Sequence, residues 1–177
     1  MSAGERSRSR PGTRLAGRPV RPAVRLVRIG AIALAFGACL AGLTVHALKV
    51  RFGWHDGGDV VDLALVLGAG GAVGLALAAA VVSVFGRRLR PPLRTLAIAA
   101  LGPVAILAVT AGLLVLDYRA YYAQWHAPPL TRIWLLQQFF TGAAAVYQYT
   151  VIGPRLYGLA GPALLAVASV AASRAMR

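Results

Sequence analysis

Four of the five acidic residues and all three histidines fall in three short stretches: His46, then His55, Asp56, Asp59 and Asp62, then Asp117 and His126. Imidazole and carboxylate side chains together ligate zinc and other divalent metals. His55 and Asp56 are adjacent, and Asp59 and Asp62 follow at helical spacing, so several of the seven could converge on one ion. Asp62 stands at the edge of an apolar run, where an ionisable group is costly and often functional. Against a metal stand the lack of an HExxH-type pattern and a simpler origin. Acids and histidines collect on one side of a membrane when arginines are held on the other. The seven residues are therefore the candidate metal ligands, and no cofactor is expected. Haem ligation by His46 would need a second axial side chain, and no other histidine lies at its depth.

The stretch Val66-Leu67-Gly68-Ala69-Gly70-Gly71-Ala72-Val73-Gly74 has the look of a dinucleotide-binding glycine turn. That turn works only between a strand and a helix, with a second strand beyond. Here it lies inside one uninterrupted apolar stretch. Gly70 and Gly74 read instead as a GxxxG pair, which lets two helix backbones approach closely in lipid. A second pattern joins Gln137, Thr141 and Gln148, four and eleven residues apart and hence on one helical face. Such a polar stripe faces neighbouring helices or lines a path. Tyr147 and Tyr149, flanking Gln148, read as walls of a lipid or quinone cleft or as boundary anchors. Ser83, Ser169, Thr44 and Thr110 lie in apolar runs without a Gly-x-Ser-x-Gly elbow, so they read as hydroxyls bonded to their own helix backbones. Cys39, the only cysteine, excludes an intrachain disulfide and reads as a packing residue.

The elements that must position these groups follow from composition. Of the 177 residues, 58% are hydrophobic and 14% are charged, and the mean hydropathy is +0.67. Soluble domains carry about 25% charged residues, so an ordinary soluble fold and a disordered chain are both excluded. The expected fold is all-α, an integral membrane helical bundle. About five spans are predicted, near 29–48, 60–85, 95–116, 133–152 and 156–172, each near the length of about 20 residues that a bilayer requires. Pro103 lies inside the third, as membrane helices tolerate, and Gly153-Pro154 should break the chain between the last two. The alternative keeps four spans and lays 133–152 along the interface, because Gln137, Gln138, Thr141 and Gln148 weaken its hydropathy.

Residues 1–28 carry eight arginines, and Pro11, Pro19 and Pro22 oppose a continuous helix. The expectation is a disordered cytoplasmic tail held near anionic lipid headgroups, with a targeting peptide as the rival reading. Arg87, Arg88, Arg90 and Arg94 form a second basic cluster. Both belong on the cytoplasmic side, and two spans separate them, so the assignments agree. The net charge of +14 does not point to nucleic acid, because the arginines flank apolar runs. One lysine against 18 arginines, with abundant Ala, Gly, Val and Leu, suggests GC-rich coding and a prokaryotic plasma membrane. The expected partners are the bilayer and either a membrane protein partner or further copies of the chain. The leading function is a non-catalytic membrane subunit or accessory protein. The rivals are a membrane enzyme or redox protein using the His/Asp set and a small oligomeric transporter or channel.

Overall fold

A computed structural model of the chain describes residues 22–55, 57–122 and 125–176. Their regular elements are all helical, with no strand among the described residues. Helix α1, Pro22–His46, continues through a π-helical turn, Ala47–Arg51. Helices α2, Gly57–Phe85, and α3, Pro91–Tyr122, follow. Helices α4, Arg132–Tyr157, and α5, Ala160–Ala175, complete the chain.

α1 starts seven residues before the expected boundary. Pro22 was expected to oppose a helix, yet it is helical, the first described residue of α1. Residues 1–21 of the expected tail lie outside the described residues. α2 and α3 are joined by a tight basic turn. Its exposed carbonyls are closed by Arg94, whose Nε donates to the Gly86 carbonyl at 3.2 Å and whose Nη2 donates to the Arg87 carbonyl at 2.6 Å. α3 runs six residues past its expected end, so Asp117 to Tyr122 are helical rather than part of a connection.

α2 is the central helix. Over its most apolar window 56% of it is buried, against 28% for the corresponding windows of α1 and α3, which flank it. One apolar cluster joins Ile29 and Ala33 of α1, Val82 of α2, Ile98 of α3, and Ala172 and Met176 beside them. It extends from the basic end, where the Arg87–Arg94 turn lies, to Leu40 and Ile106 farther along the bundle. A second cluster joins Ala47 and Leu48, Val60 and Leu67 of α2, and Leu156 of α4. It lies toward the opposite end, where Tyr118, Tyr121, Tyr122 and Trp125 stack edge to face or tilted. We refer to this as the aromatic end.

α4 does not run from end to end. Its 26 residues cover about 39 Å at 1.5 Å per residue, yet both its ends are tied to the aromatic end. Near its start, Trp134 lies under the Arg119 guanidinium at 5.5 Å. Near its finish, the Arg155 carbonyl accepts from Arg51 Nη1 at 3.1 Å. α4 is capped by Thr131, whose hydroxyl accepts from the Trp134 N–H at 3.2 Å. It continues through Gly153-Pro154 and breaks at Gly158, where a φ of 51° suits a residue without a Cβ. α5 then turns by 90° and runs back along the bundle. Leu165 packs on Gly102, and the Ser173 hydroxyl donates to the Pro91 carbonyl at 3.2 Å.

Against the expectation of about five spans, the described residues offer three or four candidate spans. α1, α2, α3 and α5 run along the bundle, α4 lies across the aromatic end, and the C-terminus returns to the basic end. Arg155 accordingly belongs to the aromatic end. Among the described residues, three helices are long and apolar enough to cross a membrane, or four if the bent α4–α5 pair counts as one broken span. Helices of this length and composition suggest a membrane protein.

Candidate functional site

Among the described residues, the members of the His/Asp set share an end of the fold but do not converge. His46, His55, Asp59, Asp62 and Asp117 all belong to the aromatic end and all face outward. Asp56 lies outside the described residues. His126 is half-buried in a separate pocket with Arg119 and Trp134. Among the described residues no group of three or more His, Cys, Asp or Glu side chains comes together as metal ligands would. Asp59 stands in the first turn of α2, where its charge complements the positive end of the helix dipole.

Gly70 and Gly74 are buried where α2 meets α3. A Cβ at Gly74 would lie 2.5 Å from Ile106 Cα, and one at Gly70 would meet the Thr110 side chain. Both residues therefore serve close backbone packing. The polar stripe of α4 is likewise spent on internal ties. Gln148 Oε1 accepts from the Tyr118 hydroxyl at 2.6 Å, and Gln137 Oε1 accepts from the Ala127 N–H at 3.1 Å. Thr141 donates to the Gln137 carbonyl in its own helix at 2.7 Å. Thr44 and Ser169 also bond their own backbones, to Leu40 and Leu165. Cys39 faces outward rather than into the core.

The concave feature lies elsewhere. A cleft of about 380 Å³ opens between α1, α3 and the α4–α5 bend. Its apolar walls include Phe36, Leu40, Pro103, Ile106, Leu107 and Leu165, and the bend contributes Tyr149, Thr150, Gly153, Pro154, Tyr157, Gly158, Gly161 and Pro162. Its size falls in the range of about 300–1,000 Å³ usual for small-molecule pockets. Of the two tyrosines flanking Gln148, Tyr149 lines the cleft and Tyr147 faces outward.

Four hydroxyls gather inside the bundle, behind the cleft wall. That of Tyr149 interacts with Tyr157 and Thr110, and that of Tyr157 also with Thr44. These approaches fall short of hydrogen-bond geometry for two members: Thr110 Oγ1 and the Tyr157 hydroxyl are buried without a partner. Buried polar groups are nearly always paired, so each exception calls for an explanation. The sequence pointed to Tyr149 but not to Tyr157, Phe36 or Pro103. A signal was present in Gly153-Pro154, Gly158 and Gly161-Pro162, because Gly/Pro-interrupted helices at membrane depth occur where the backbone lines a cavity. Comparison of the chain with family models, with curated proteins and with solved structures found no match.

Proposed function

We propose that the chain is a small multi-pass protein of a prokaryotic plasma membrane and acts as a non-catalytic subunit or accessory protein. The observation that carries this reading is α4. It is laid across the aromatic end, with Gln137 and Gln148 tied inward and Ile133, Leu135, Phe139 and Phe140 facing outward. A helix held in this way offers a membrane partner a broad apolar face at the bilayer boundary.

The orientation rests on charge. Arg25, Arg28, Arg87, Arg88, Arg90, Arg94 and Arg174 belong to the basic end with no acid among its described residues, whereas Lys49, Arg51, Arg119, Arg132 and Arg155 at the other end are offset by Asp59, Asp62 and Asp117. The basic end and the N-terminal tail are cytoplasmic in this reading, next to anionic headgroups. The transporter reading is weaker, because Gln137, Thr141 and Gln148 bond to protein groups instead of lining a path.

Native mass spectrometry of the protein, purified from its own membrane in mild detergent, tests the proposal. A stoichiometric second polypeptide is the expected result. A bare monomer or homo-oligomer would overturn the accessory role.

A further inference from the structure

At the aromatic end a second hollow, of about 280 Å³, opens between the end of α3 and the start of α4. Arg119, His126, Ala127, Pro128, Pro129 and Trp134 line it. The exposed Arg119 side chain is steadied by the Trp134 ring, whose centre lies 5.5 Å from the guanidinium. Among the described residues that guanidinium has no hydrogen-bond acceptor and no carboxylate partner. Asp117, two residues away, stands on another face of the helix. His126 is half-buried and also has no hydrogen-bond partner among the described residues. Unlike Thr110 Oγ1 and the Tyr157 hydroxyl, it is not one of the groups sealed from solvent without a partner. The backbone of the connection is already engaged. The Ala127 N–H donates to Gln137 Oε1 at 3.1 Å, and the Pro128 carbonyl accepts from the Thr131 hydroxyl at 2.9 Å and the Thr131 N–H at 3.3 Å. The polar side chains left to act in the hollow are a guanidinium, an imidazole and an indole, all of which can donate.

Donors around an unpaired guanidinium call for an anion, and the rigid fork of arginine matches phosphate oxygens two at a time. Depth points the same way. Tyr121, Tyr122 and Trp125, just before the connection, form the stacked aromatic group that suits a membrane–water boundary. Lipid phosphates lie at that level, outside the hydrocarbon core. We propose that the Arg119–His126–Trp134 hollow is a phosphate-binding site, with Arg119 as the charged anchor and the His126 imidazole as a second donor. The phosphate belongs either to a lipid headgroup or to a free anion from the aqueous side. The site takes its depth from the membrane reading but does not depend on the accessory role, which concerns a protein partner at α4.

The test uses the full chain, freed of lipid in a maltoside detergent that carries no phosphate. It is titrated calorimetrically, against empty micelles, with inorganic phosphate, with dihexanoyl phosphatidylglycerol and with acetate. Saturable binding of one phosphate group per chain is expected. Binding of the lipid alone upholds the site with a headgroup as the source, and equal binding of inorganic phosphate upholds it with a free anion. Arg119→Gln should weaken binding by about tenfold or more, the worth of a hydrogen bond to a charged group. Arg132→Gln removes the same charge from the same end but outside the hollow, and should leave binding unchanged. Arg119→Lys keeps a charge over Trp134, so the thermal midpoint should hold, while loss of the fork should still weaken binding severalfold. Absence of saturable binding of both phosphate probes, unchanged binding in both Arg119 variants, or equal losses in Arg119→Gln and Arg132→Gln would overturn the site. Acetate binding as tightly as phosphate would overturn the phosphate assignment.

Discussion

Gly37 and Gly68 stand back to back where α1 crosses α2: a Cβ built on Gly68 would lie 2.9 Å from the Gly37 carbonyl oxygen. The obstruction is backbone, so it cannot swing aside as a side-chain tip would. Relief requires the two helices to separate, and in lipid that forfeits the close contact on which their association depends. Gly68→Leu should therefore destabilise the fold by at least about 2 kcal/mol, in the upper range for overpacked sites. Thermal unfolding in detergent would measure it.

The α2–α3 seam makes a sharper comparison possible. A Cβ on Gly74 would meet Ile106 Cα at 2.5 Å and its nitrogen at 2.7 Å, while one on Gly112 would meet nothing within 4 Å. Gly74→Ala should cost about 1–3 kcal/mol through forced separation. Gly112→Ala, on the same pair of helices, should be neutral or stabilising by up to about 1 kcal/mol, because alanine is the better helix former. Equal midpoints for the two variants would mean that α2 and α3 do not pack at this register.

The Tyr118–Gln148 bond, 2.6 Å long and half-buried, links the end of α3 to α4. Gln148→Leu removes the acceptor and leaves the phenol to seek another. The expected loss is about 0.5–1.5 kcal/mol, confined to α4. Hydrogen exchange should accelerate over Arg132–Tyr157 and stay unchanged in α2. A uniform acceleration throughout would show instead that α4 unfolds only with the whole bundle.

These residues also show what the sequence could reveal. Gly70 and Gly74 were legible because a four-residue spacing of glycines has one main use in an apolar helix. Gly37 carried a fainter form of the same signal, since Ala33 and Ala41 flank it at that spacing. The stripe Gln137, Thr141 and Gln148 was recognisable as a face, but its partners were not. Tyr118 and Ala127 lie across a connection whose path no local pattern encodes. The turn of α4 was placed too early for a local reason. Pro154 removes one donor without forcing the backbone out of the helix, whereas Gly158 adopts a φ that other residues avoid. The His/Asp set shows that belonging to one end of a bundle does not by itself bring the described side chains together. His46, Asp62 and Asp117 sit on three different helices and face outward from each.

The return of α5 to the basic end yields a prediction about sidedness. Ser173 donates to the Pro91 carbonyl at 3.2 Å, so Arg174 and the Arg87–Arg94 turn must lie on one side of any membrane the bundle crosses. An even number of crossings follows, whichever way the α4–α5 bend divides its path. With Cys39 replaced by alanine, single cysteines at Arg90→Cys and Arg174→Cys should respond alike to an impermeant maleimide, both protected in intact cells and both labelled after permeabilisation. His55→Cys, from the aromatic end, should label in intact cells. Protection of Arg90→Cys together with labelling of Arg174→Cys would require five crossings. The Ser173–Pro91 contact could not then exist in the membrane, and α4 would have to stand upright instead of lying across the aromatic end.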